Sequence, residues 1–347
     1  MERRNSFIFS FTAIMLFMII GLGCKEQTGV TEPGFGTNKN FSQALMKSAD
    51  NSQSTNSFTQ NYNEEDAMAL SGTLGKDIYP IRVGQHLKLV ERNMTVVKDS
   101  TTATGTLVQK FEGELIIAGT LKPPVQGTHT HVDTVIHKPI STTITRLIKF
   151  KKIANTGNDT KDWKVTAISL PVGGTEGDDI LITKLTLTAQ DGSTVVINDP
   201  NAFFFNVGSD NNDDDNDEDD DNENHVTGSG VGIGIGLHGW HDLFTNYTKN
   251  QPVKLEVELL SKSSDDDFLT ITYGAMMDGK FRTKEKFNLK SSIQEGTYYR
   301  KVYERNWKTH SYAGRMHAVI NALPKSVVYD SNTSVVEKTW GIPYKVK

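Results

Sequence analysis

Between His86 and Leu170 the chain alternates apolar with polar residues at almost every step. HLKLVERNMTVVKD (86–99), TATGTLVQKFEGELIIAGT (102–120), TTITRLIKFKKI (142–153) and DWKVTAISL (162–170) all repeat with period two, and turn-forming residues separate them. That spacing leaves little choice of fold. A strand sends successive side chains to opposite faces, so period two buries one face of a sheet and wets the other. Half-buried antiparallel strands follow, and this half of the chain has no apolar stripe at 3.6-residue spacing long enough for an amphipathic helix. Residues 123–139 hold prolines and threonines and read as a long hairpin loop or an edge. DDILITKLTLTAQDGSTVVIND (178–199) reads as a hairpin whose runs meet at Asp191-Gly192, a pair suited to a type I′ turn.

A second block opens at Pro252. PVKLEVELLSKSSDDDFLTITYG (252–274), KFRTKEKFNLKS (280–291), GTYYRKVYERNW (296–307), GRMHAVINALP (314–324), SVVYD (326–330) and TSVVEKTWGIPYKVK (333–347) predict a succession of short strands. Their regular spacing resembles an immunoglobulin-like or fibronectin-type β-sandwich, at the level of fold alone, because the cysteine pair of true immunoglobulin domains is missing. The expected architecture is mainly β. It comprises an N-terminal antiparallel sheet domain over 76–208 and a C-terminal β-sandwich over 252–347, joined by an acidic, Gly-rich connector over 209–251.

The start of the chain speaks to location. Arg3 and Arg4 precede FIFSFTAIMLFMIIGL (7–22), which Gly23 and Cys24 follow. The run is shorter than the roughly 20 residues of a membrane span and suits the apolar core of a secretory signal. Gly21-Leu22-Gly23-Cys24 resembles the lipobox of bacterial lipoproteins. That resemblance implies a signal peptide over 1–23, fatty acylation of Cys24, and a lipid anchor in a membrane of the cell envelope; Lys25 after the cysteine points to the outer membrane. Cys24 is the single cysteine, so disulfides cannot stabilise the fold and buried apolar area must. Residues 24–75, rich in Ser, Asn, Gln, Thr and Gly, read as a disordered tether with a helical turn or two at FSQALMKSA (41–49).

The connector raises the question of chemistry. DNNDDDNDEDDDNEN (210–224) holds ten acids, while the whole chain carries a net charge of only −5, so the remainder is net basic. Its basic residues are scattered, without the dense patch of a nucleic-acid reader, and no nucleic-acid partner is expected. Read as a calcium loop from Asn212, the run places Asp214, Asn216 and Glu223 at ligand positions, but Asp217 stands where the turn needs glycine. Diffuse, weak Ca2+ binding on a solvated spacer fits the composition better. The G-x-G-x-x-G at Gly234, Gly236 and Gly239 lacks the surrounding βαβ unit of a dinucleotide site.

Histidines form two groups: His129, His131 and His137 in THTHVDTVIH, and His238 and His241 beside Asp242 in HGWHD. On a strand, His129, His131 and Asp133 share one face, which allows a metal site if the fold brings His238 and His241 to it. No nucleophile elbow, kinase glycine loop or H-E-x-x-H is present. Tyr298, Tyr299, Tyr303, Trp307 and Trp340 offer an aromatic surface of the kind that stacks on sugars or peptides. The sequence therefore predicts a lipid-anchored binding or scaffolding module with an unknown protein or glycan ligand. Its rival is an exported metal-dependent enzyme, or a metal-binding module, with its site near the connector.

Overall fold

The computed structural model describes residues 39–51, 68–69, 79–122, 131–206, 247–275, 283–331 and 333–347. The protein is mainly β, built from curled antiparallel sheets. Helix α1 (Lys39–Asn51) spaces Phe41, Leu45 and Ala49 four residues apart, and all three are buried. The Phe41 ring meets Trp163 edge-on at 5.5 Å, and Ser48 Oγ donates to the Trp163 carbonyl at 3.0 Å. The segment expected as a tether thus supplies part of the core through this helix.

Strand β1 (Met68–Ala69) is followed by the long meander of β2 (Tyr79–Lys98), β3 (Thr102–Thr120) and β4 (Thr134–Lys152). Residues 134–139, expected in a loop, are the start of β4. Their alternation survives Pro139, which faces solvent. The short helix α2 (Asp159–Asp162) leads into β5 (Trp163–Ser169), which pairs with the far half of β4, while β6 (Val172–Gly174) pairs with Thr143–Thr145 of the same strand.

β7 (Ile180–Thr188) and β8 (Thr194–Ile197) form the expected hairpin, and β9 (Phe204–Asn206) extends β5. The turn is not type I′. Gly192 alone adopts a positive φ, +84°, and its N–H donates to the Ala189 carbonyl at 3.0 Å. Asp191 stays at negative φ because its carboxylate accepts the Ser193 N–H at 2.9 Å, so three residues rather than two span the bend.

The C-terminal block contributes β10 (Pro252–Ser261), β11 (Phe268–Ala275), β12 (Thr283–Lys286), β13 (Asn288–Glu295), β14 (Tyr298–Lys308), β15 (Gly314–Leu323), helix α3 (Lys325–Tyr329) and β16 (Lys338–Val346). Of residues 326–330, expected as a strand, 326–329 are helical in α3 and Asp330 is its C-cap, because Pro324 starts the turn and Val327 and Val328 plug the core. Lys138, buried on β4, caps this helix. Its ammonium donates to the carbonyls of Val327 at 2.5 Å, Thr333 at 2.9 Å and Asp330.

Two sheets result. In the first the order is β1-β2-β3-β4-β6-β16-β15-β11-β12, with β5 and β9 branching from β4; in the second it is β13-β14-β10-β7-β8. Both blocks of the sequence feed both sheets: β6 lies between β4 and β16, and β7 pairs with β10. The division expected at 76–208 and 252–347 therefore does not correspond to separate sheets.

The first sheet curls until its ends approach. Lys284 on β12 donates to the Val83 carbonyl on β2 at 3.2 Å, and Phe268 and Leu323 pack with Val83, Leu115 and Ile117 inside the curl. Val319 joins Leu87, Phe111, Ile140 and Ile144 there. The other face of β15 and β16, with Ile320 and Ile342, packs in one continuous core with Leu185, Leu255 and Val257 of the second sheet. Each such fully buried aliphatic side chain contributes about 1.5–3 kcal/mol. No helix among the described residues is long and apolar enough to cross a membrane.

Candidate functional site

Where β6 bridges β4 and β16, a cleft of about 310 Å³ opens toward β7. Glycine makes this junction possible. A Cβ on Gly173 would lie 1.9 Å from the Thr143 carbonyl oxygen, and one on Gly174, whose φ is +143°, would lie 2.1 Å from that of Glu337. No side chain fits at either position, so β6 presents bare peptide groups to the cleft. Trp340, buried on β16, and Leu181 and Ile182 on β7 provide the apolar lining.

Polar groups converge from the rim. Lys338 Nζ donates to the Thr175 carbonyl at 2.8 Å. Burial pulls the Lys338 ammonium below the usual lysine range, an effect the Asp178 carboxylate partly offsets. Thr175 is itself fixed. Its hydroxyl accepts the Glu337 N–H at 2.9 Å and donates to the Glu176 carbonyl at 3.2 Å. An apolar trough with a few fixed polar groups is the general form of a small-molecule site, and this volume lies at the lower end of the usual range.

The outer face of the second sheet is different in kind. Lys254 reaches Glu256 at 3.0 Å and Glu304 at 3.3 Å, Lys290 reaches Glu256 at 3.0 Å, and Arg300 holds Glu295 at 2.8 Å. These exposed pairs neutralise one another and contribute little each. Edge strand β13 is exposed along its whole length.

The aromatic surface expected from the sequence is divided by the sheet. Tyr303, Trp307 and Trp340 are buried, whereas Tyr298 and Tyr299 are half-exposed. Trp307 lies edge-on to Tyr273 at 5.1 Å and to Tyr344 at 5.2 Å. Burial, aided by Glu285, pushes the Tyr273 phenol up to about 12. Inward positions of a two-layer fold claim these rings for packing. Trp340 alone combines core packing with a place in the cleft.

His131 stands in coil just before β4, its side chain 88% exposed, with Nδ1 3.3 Å from Asp133 Oδ1. Asp133 fastens the turn. Its carboxylate accepts the Thr120 hydroxyl at 2.6 Å and the Leu121 N–H at 3.0 Å, bonds that hold it below the usual carboxylate range. His137 pairs across the strands with Glu114 at 2.9 Å. Among the described residues no three His, Cys, Asp or Glu side chains form a metal-binding group. Cys24, His129, Asp214, Asn216, Glu223, His238 and His241 lie outside the described residues.

Fold and cleft together define a mainly β protein with a small-molecule-sized recess at the junction of its two sheets. No protein-family profile, no curated protein and no solved structure matches the chain.

Proposed function

We propose that this chain is a lipid-anchored envelope protein that works as a binding module, with the cleft on β6 as its ligand contact. The observation that carries the reading is the 310 Å³ recess itself, apolar at Trp340, Leu181 and Ile182 and cationic at Lys338. Such a lining suits a small polar molecule with one apolar face and one acid, for which a sugar acid at the end of a glycan is the natural form. The sequence run 7–24 supplies the anchor in this reading.

Two measurements test it. Ligand-observed NMR with uronic acids and their neutral sugars is expected to show saturable binding of the acids, lost in a Leu181→Trp variant that melts like the parent. No saturable binding of any acid would sink the cleft. Separately, Cys24→Ser is expected to release the protein from the membrane fraction, and continued retention there would sink the anchor.

A further inference from the structure

The face of β6 opposite the cleft looks onto a buried polar patch inside the curl. Gln85 on β2, Thr142 on β4, Asn321 on β15 and Thr339 on β16 are each at least 98% buried. Asn321 and Thr339 are direct cross-strand partners, and Gly173 sits opposite both Thr339 and Ile144, so no β6 side chain intervenes in that row. Gln85 Nε2 donates to a Glu337 carboxylate oxygen, and Glu337 shares the inward side of β16 with Thr339, two residues on.

Four oxygens in this patch find no hydrogen-bonding partner among the described residues: Gln85 Oε1, Thr142 Oγ1, Asn321 Oδ1 and Thr339 Oγ1. Around them lie the apolar Ile140, Ile144, Leu87 and Val319 and the buried Glu337 carboxylate. A buried polar atom without a partner keeps its whole desolvation penalty, and four together would consume much of the net stability of a folded chain. Such groups in native proteins are met by protein, water or ions. We infer that the inner face of the curl binds internal water, bridging Gln85, Thr142, Asn321 and Thr339. Because each buried water makes roughly three hydrogen bonds, about two molecules satisfy the set. All four atoms are neutral carbonyl or hydroxyl oxygens and Glu337 is the one carboxylate beside them, which suits water better than a divalent cation, since such a cation favours several carboxylates.

The sign of an isosteric substitution tests this. Thr→Val keeps shape and favours strand, so at an oxygen with no partner it raises stability; at a water-bound oxygen it removes a real bond. Thr142→Val and Thr339→Val in the full chain are each expected to lower the melting temperature by roughly 2–4 °C. A midpoint unchanged or raised in either variant overturns the inference. Should a variant fail to fold, a crystal structure of the parent decides. Ordered water within hydrogen-bonding distance of all four oxygens is expected there, and a dry patch, or a cation in its place, refutes the assignment.

Discussion

Replacing Lys301 by methionine removes half of an ion pair that solvent does not reach. Both side chains are fully buried, with Lys301 Nζ 2.7 Å from Asp267 Oδ2, and Lys301 also donates to the Asp265 carbonyl. Burial pushes the Asp267 carboxyl above its ordinary 3.8, and Lys301 is the chief group opposing that rise. Without the cation, the carboxyl takes up a proton in the folded state. Removing one partner of a buried pair costs roughly 3–5 kcal/mol at neutral pH. In the variant, therefore, the folded pKa stands above the unfolded one, so stability is full at low pH and is lost as pH rises. Urea titrations should show a larger deficit of K301M relative to the parent at about pH 7 than at about pH 5. The double variant K301M/D267L buries no charge and should recover most of the loss. An equal deficit at both pH values would refute the reasoning.

Gly173→Ala places a methyl 1.9 Å from the Thr143 carbonyl; it should displace β6, cost roughly 1–3 kcal/mol and abolish ligand binding in the cleft, as read by thermal melts and NMR titration. Trp163→Ala removes the fully buried ring against which Phe41 packs. A loss of about 3–5 kcal/mol is expected, with hydrogen exchange rising first in residues 39–51. Asp162, whose carboxylate accepts the Thr156 hydroxyl at 2.6 Å and the Thr156 N–H at 2.9 Å, titrates below its ordinary 3.8. A depressed folded pKa gives stability that is present above 3.8 and lost as pH falls through the folded value. Asp162→Asn should accordingly melt below the parent at neutral pH, and the two should converge in strong acid.

Strands were legible where the alternation was clean. Strand β3, the β7–β8 hairpin and strands β10, β15 and β16 fall within the expected runs, and β2, β4 and β14 overlap theirs, because a buried face enforces period two whatever the partner strand. Partnering itself was not legible. Nothing in Val172-Gly173-Gly174 states that β6 will wedge between β4 and β16; the pair of glycines reads as a turn until the close carbonyls of Thr143 and Glu337 are known. The cleft was missed for that reason, and with it Lys338 and Leu181. Thr142 and Arg146 misled in another way: a polar residue on a strand reads as outward, yet both point into the curl and are buried. Tyr303 and Trp307 are withdrawn from the expected aromatic surface because they occupy inward positions of β14, a phase that composition does not reveal.

Because each sheet takes strands from both ends of the polypeptide, the molecule resembles a zipper closed from two sides. The β7–β10 and β6–β16 pairings join residues far apart in sequence, so completion of both sheets waits on the C-terminal strands and should be slow. Cutting the backbone between Asn206 and Tyr247 would sever no strand pairing among the described residues, and the two fragments should remain clasped as a non-covalent complex that separates only on denaturation.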